Sequence, residues 1–479
     1  EREALAQLNL KAGSKARSST AYAAARIYLQ TGIELLTANC WQSQHELTLN
    51  LYVAATEAAY LNADFDGMEQ LAERVLQKAR TILDKVKIYE IQIAALTAQS
   101  QMLEAIAVAR DALLQLGVEL PTEPDETKIS KVLQNLANQQ SGKRIEELVD
   151  LPVMADAKTQ AAIQLLGTLF PPVFLGMPGL LPILSSMMVS LSIEFGNAPA
   201  STVGYAIHGM VLCAFLGEVE MGYGFGKLAM NLLDRFNIRA LKATIPAFFG
   251  SFIQHRQEAI GATIPTLKGS YTAAMETGDF LQSGYSILNY LESKFFGGVE
   301  LDTWETEIAS YSAVMTQAKQ YSARDYLEMM QQTVNNLRKV GILSDCLIGT
   351  AYDETVMLPK HHQNNELTAI AKTYVYKLLL AYSSGNNTAA LDYILQAKPY
   401  LMAISGLIQV PIFHFYAALT YLAIFPTKPE PEQSEILALA ETHQTILQQW
   451  AKNAPMNHLH KWYLIEAEKS RVLGNKADA

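Results

Sequence analysis

YLNADFDGMEQLAERVL, residues 60–76, holds the end of one helical pattern and the start of another, with Ala63 and Asp64 between them. Downstream, Met68, Leu71, Ala72, Val75, Leu76 and Ala79 follow the spacing of one apolar helix face. Upstream, Leu47, Leu51, Ala54, Ala55 and Ala58 do the same. Two such faces joined by so short a turn pack as an antiparallel hairpin.

The turn recurs. With Ala63 as anchor, the pattern is a small turn residue followed five positions later by a small or flexible one. It occurs at Thr20 with Ala25, Ala63 with Met68, Ser100 with Ala105, Gly217 with Gly222, Gly278 with Ser283, Gly385 with Ala390 and Gly474 with Ala479. A small anchor admits a tight backbone, and a small residue five later lets the second helix approach the first. Eleven residues before the anchor stands a tyrosine in four cases, Tyr52, Tyr89, Tyr374 and Tyr463, placed to fill the groove between the two helices. The first three anchors lie 43 and 37 residues apart, near the tetratricopeptide period but looser. The later gaps imply degenerate repeats. An ordinary bundle with incidental turns is the plainer alternative, and the shared tyrosine offset favours repeats. The expected fold is all-α, an α-solenoid of tetratricopeptide-like antiparallel hairpins.

Breaks are expected at LPTEPDETKIS (120–130) and FPTKPEPEQSE (425–435), where prolines and acids read as loop and helix start. GILSDCLIGTAYDETVMLPKHHQNNE (341–366) lacks a helical period. The expected organisation is therefore repeats over 1–120, degenerate repeats with an apolar centre over 121–340, an irregular loop over 341–365, and further repeats over 366–479 that stop inside a unit. With no initiating Met, the chain reads as a piece of a larger protein.

Half of the 479 residues are hydrophobic and 18% are charged, which excludes disorder, and the net charge of −10 offers no general attraction for nucleic acid or anionic lipid. Cys40, Cys213 and Cys346 lie far apart and are odd in number, so neither a disulfide framework nor a metal cluster is indicated and a reducing cytoplasm is expected. From Thr159 to Ile193 no residue is charged, enough by length to cross a bilayer. Pro171, Pro172, Pro178 and Pro182 argue against that, because each removes a backbone donor that lipid cannot replace. Soluble core is the reading.

GYGFGK (222–227) looks like a phosphate loop, but it lies within a second helix of the pattern, where glycines serve close packing. No Walker or protein-kinase signature occurs. His361 and His362 beside Asp353 and Glu354 are the nearest approach to a metal grouping, and a surface loop is the preferred reading. His458 and His460 are a weaker grouping still. No catalytic, cofactor or metal residue is assigned, and the tyrosines read as core rather than as a base-stacking surface.

Several stretches together resemble one family: STAYAAARIYLQTGIELL (19–36), EAAYLNADFDGMEQLAERVL (57–76), IYEIQIAALTAQSQMLEAIAVARDALLQLGVELP (88–121), LCAFLGEVEMGYGFGKLAMNLLDRF (212–236), CLIGTAYDETVMLP (346–359) and APMNHLHKWYLIEAEKSRVLGNKADA (454–479). They look like the helical-repeat region of bacterial, especially cyanobacterial, multidomain signalling kinases. In that family a serine/threonine kinase domain and a STAND-type ATPase domain precede the repeats, and a GAF domain and a histidine kinase follow. The resemblance implies a parent that uses ATP and Mg, with this stretch as a non-catalytic sensing or coupling scaffold. Its expected partners are a protein, peptide or small inducer and the adjacent ATPase, GAF and kinase domains. A structural spacer or oligomerisation element, and a pocket or enzyme in the charge-free centre, are the competing readings.

Overall fold

The computed structural model describes residues 1–338 and 344–475. Among these there is no strand, only the isolated bridges Val153–Asn197 and Ile348–Asp353. The chain divides into two compact units, Glu1–His208 and Gly209–Ala479. Neither of the boundaries expected near 120 and 340 falls at this division. Within each unit, helices adjacent in sequence pack against one another, the arrangement of an α-solenoid.

In Glu1–His208 the hairpins are Arg2–Ser18 with Tyr22–Glu34, His45–Leu61 with Phe65–Lys78, and Ile82–Ala98 with Met102–Gln115. Alanine dominates their interfaces: Ala25, Ala58, Ala72, Ala105, Ala109 and Ala112 are fully buried. Small side chains let the helices approach closely, so dispersion contacts substitute for large buried side chains.

The turns share one geometry. All seven anchors adopt left-handed backbone: Thr20 (φ 58°), Ala63 (57°), Ser100 (61°), Gly217 (75°), Gly278 (74°), Gly385 (75°) and Gly474 (85°). At Ala63 the next amide, Asp64 N–H, donates to Ala59 O at 3.0 Å, and Ala63 N–H donates to Tyr60 O at 2.9 Å. These two bonds form the Schellman cap that satisfies the last carbonyls of a helix. Thr20, Ser100, Gly278, Gly385 and Gly474 repeat it. At the six turns before Gly474 the following residue then starts the next helix. Asp64 does so as N-cap, accepting from Gly67 N–H at 3.1 Å, and Asp279 and Asn386 do likewise.

Lys319 (φ 57°) and Asn365 (φ 54°) make further turns of this kind, not anticipated, whose next residue starts the paired helix, with Gln320 N–H on Met315 O and Glu366 N–H on His361 O. They divide the long interval between Gly278 and Gly385 into the hairpins Leu301–Gln317 with Tyr321–Arg338 and Glu354–Gln363 with Leu367–Ser383. Of the irregular loop expected over 341–365, residues 341–343 lie outside the described residues and 344–353 form no helix, but Glu354–Gln363 is helical, a correction; Asp353 starts it, its carboxylate accepting from Thr355 N–H at 2.9 Å. Pro359 inside this helix, and a face that buries only His361, erase the periodic signal. At FPTKPEPEQSE the break is shorter than expected, because Glu430–Asn453 is already helical.

The charge-free centre is a set of short helices. Pro171 and Pro172 lie in the first turn of Phe170–Gly176, Pro178 opens a single 3-10 turn, and Pro182 lies in the first turn of Leu181–Phe195. A missing N–H costs nothing there. The polar helix Glu126–Gln140 packs against Leu181–Phe195, and Ser190 Oγ donates to Gln139 Oε1 at 2.7 Å. By length and composition alone, three helical stretches among the described residues could cross a membrane: Pro178–Phe195, Pro199–Leu216 and Gln409–Thr427. Half or more of each is buried inside the protein.

Candidate ligand-binding surfaces

The residues five positions after the anchors are buried wherever they fall among the described residues. Ala25, Ala105, Ser283 and Ala390 are fully buried, and Met68 and Gly222 are buried. The residue five after the anchor makes the first helical bond back to the residue after the anchor, as Ala105 N–H does to Gln101 O at 3.1 Å. Ala479 lies outside the described residues.

The tyrosines eleven before the anchor divide. Tyr374 is buried, and its ring lies 6.4 Å from Tyr393 on the paired helix Asn387–Ala397. The Tyr89 hydroxyl accepts from Gln115 Nε2 at 3.5 Å, again on the paired helix, and Tyr52 packs on the cluster of Ala72, Val75 and Ile88. Tyr463 is 59% exposed.

Between the first two hairpins runs an open groove of about 340 Å³, large enough for a small molecule or a few residues of peptide. Arg26, Gln30, Tyr52, Gln70 and Arg74 line it, and an Arg26–Asp64 ion pair at 2.6 Å closes one side. Burial raises the Tyr52 hydroxyl pKa while Arg74 opposes that shift, so the phenol stays protonated as a donor. The lining supplies donors and a carboxylate but no nucleophile paired with a base.

GYGFGK is helical, within Val219–Phe236. A Cβ on Gly222 would come within 2.5 Å of Cys213 Sγ and 2.6 Å of Gly209 O, so only glycine permits this approach. The surface loop expected at His361–His362 is corrected as well. His361 is buried, bonded to the Glu366 carboxylate through Nδ1 and to the Tyr352 hydroxyl at 3.0 Å through Nε2, while His362 is exposed on the same helix. Among the described residues no group of three or more His, Cys, Asp or Glu is placed to hold a metal.

Sequence reasoning gave no sign of the charges buried in Gly209–Ala479. Lys372 Nζ bonds Glu292 Oε1 at 2.6 Å with both side chains fully buried, and the Tyr376 hydroxyl donates to the same oxygen at 3.1 Å. Burial drives the pKa values of Tyr376 and its neighbour Tyr326 up, so both remain neutral. Lys377 pairs with Glu354, and Lys360 reaches the buried Asp325 at 3.2 Å. None of these groups shares a helix with its partner, so no spacing in the sequence announces them.

With this architecture in view, the comparisons with known proteins are limited. No protein-family model matches the chain. The chain is similar to the hybrid signal transduction histidine kinase G of Dictyostelium discoideum, 22% identical over 366 residues, which covers 71% of this chain and 10% of that protein. It therefore spans about a tenth of the length of the relative it matches.

Proposed function

We propose that this chain is a non-catalytic, tetratricopeptide-like sensing and coupling region of a multidomain signalling kinase. The observation that carries the reading is the similarity itself: most of this chain aligns with a small fraction of a signalling histidine kinase. A stretch of that kind serves a larger protein, and a helical repeat array offers extended grooves rather than a catalytic centre. The bacterial serine/threonine kinase, STAND ATPase, GAF and histidine kinase arrangement implied by the sequence resemblance belongs to the same proposal, as does a cytoplasmic setting. The groove of Arg26, Tyr52 and Arg74 supports binding of a protein, peptide or small inducer. Occupancy reaches the neighbouring domains only if the ligand binds two states of the array with different affinity.

The test has two arms. The flanking coding sequence should contain kinase, ATPase and GAF signatures; an open frame with none of them would overturn the coupling role. In the parent enzyme, Arg26→Ala with Arg74→Ala should change the stimulated autophosphorylation rate and leave the basal rate alone. A loss of both equally would reduce the region to a structural spacer.

A further inference from the structure

Helix Pro455–Val472 is fastened by its first turn to a segment some two hundred positions earlier. Asn457 Nδ2 donates to His255 O and Glu258 O, both at 2.8 Å, and Asn457 Oδ1 accepts from Ile260 N–H at 3.0 Å. This clamp brings Arg256 beside the helix pair Glu430–Asn453 and Pro455–Val472. The Arg256 guanidinium lies 5.2 Å from the Trp450 ring, and the same indole lies 6.0 Å from the His458 ring.

Arg256 is 3% exposed, and its Nε and Nη1 are buried without a hydrogen-bond partner. His458 is also 3% exposed, and neither of its ring nitrogens has a partner. Among the described residues no carboxylate pairs with Arg256. The nearest acid in sequence, Glu258, is taken up by the Tyr223 hydroxyl and by Gln254 Nε2. Cys213, the group whose charge would favour that of Arg256, has its thiol pushed up to about 12 by burial, so it stays neutral. Lys461, nine-tenths buried on the same helix as His458, donates to Asn457 O at 2.8 Å and adds positive charge. His255 is held on Ser251 O and Gly406 O by Nε2.

An unpaired buried guanidinium costs several kcal/mol, and buried polar groups in folded proteins are almost always satisfied. A guanidinium stacked on an indole, with free N–H groups beside an unpartnered imidazole, is complementary to a planar or tetrahedral oxyanion. We propose that Arg256 and His458, with Lys461 near, form a buried binding site for the carboxylate or phosphate group of a small molecule. This deepens the sensing role by naming the chemistry of an inducer. It rests on that reading only for the consequence of binding, because the site lies wholly within residues 209–475.

The experiment uses the chain as it is. Titrate inorganic phosphate and, separately, acetate against chloride at constant ionic strength, and follow both heat of binding and thermal unfolding. Saturable binding with a rise in Tm is expected for at least one, and the tighter of the two identifies the group recognised. Arg256→Met should weaken that binding at least tenfold, and Arg256→Lys should weaken it less. In the absence of the anion Arg256→Met should unfold no earlier than the parent, because it removes an unpaired charge; this separates lost binding from failure to fold. His458→Phe should weaken binding several-fold, and Arg74→Met, in the distant groove, should leave it unchanged. No saturable response to either anion, or a response that Arg256→Met leaves intact, would overturn the site. Binding in the chain without any effect of the same anion on the parent kinase would instead overturn the sensing role and leave the site standing.

Discussion

The two units bury different things. Among the described residues of Glu1–His208, Glu90 is the one buried carboxylate, lysine or arginine, and Lys87, one turn away, meets it at 3.1 Å. Gly209–Ala479 buries Arg256, Glu292, Asp325, Lys372, Lys377 and Lys461. The first unit shows that small side chains at regular turns suffice to stack hairpins. The second adds polar pairs between distant helices, which contribute little net stability but penalise any misplaced pairing. Groups that must be matched are also groups that a ligand can match, so the unit with the polar interior is where an inducer's chemistry is legible.

Acid should separate the units most. In the second unit burial lowers the pKa of His255 and His414 to about 3, that of His443 to about 4 and that of His458 to about 2, while in the first unit His208 is lowered to about 3. A histidine held neutral takes up no proton when folded, whereas the unfolded chain takes one up below its ordinary pKa. The stability is therefore whole above about pH 6.5 and is lost as pH falls toward the folded value. Each such group costs about 1.4 kcal/mol per pH unit in that window. Pulse-labelled amide exchange in urea between pH 6.5 and 4.5 should show the second unit weakening roughly four times as steeply as the first, four such histidines against one. Equal slopes would erase this contrast.

Breaking the Glu292–Lys372 pair should come next. Glu292→Leu strands a buried ammonium and should cost the second unit about 3–5 kcal/mol, as should Lys372→Met. The double change should recover most of the loss, measured as a double-mutant cycle on the urea midpoint. Additive losses would mean that the two side chains do not act as a pair.

In the first unit the corresponding weak point is a methyl group. Ala105→Trp should overpack the contact between Ile82–Ala98 and Met102–Gln115 and destabilise by about 1–3 kcal/mol. Exposed Glu104→Ala should shift the midpoint by less than about 0.5 kcal/mol. Similar midpoints for the two variants would count against this helix register.

The smallest effects should come from the turns, with opposite signs. Ala63 carries a Cβ at φ 57°, so Ala63→Gly should stabilise by about 0.5–1 kcal/mol. Gly385 has open space around its Cβ position but φ 75°, so Gly385→Ala should cost about 1 kcal/mol through backbone strain alone. Changes of the same sign would show that the turns differ in kind.

The sequence by itself determined the helical class, seven of the turns and the buried position that follows six of them. These are settled within about ten residues, by the sign of one φ angle and by the spacing of an apolar face. The same local logic explains what it missed. Lys319 makes the turn without being small, and Asn365 makes it with a side chain that tolerates left-handed backbone. Glu354–Gln363 hid behind Pro359. Only the tertiary structure decided that Lys372 meets Glu292, that His361 lies between Tyr352 and Glu366, and that Arg256 and His458 share Trp450 without an acid to answer them. The cost of burying a charge depends on which groups surround it in space. Groups that come from helices up to two hundred residues apart have no sequence spacing that records their meeting.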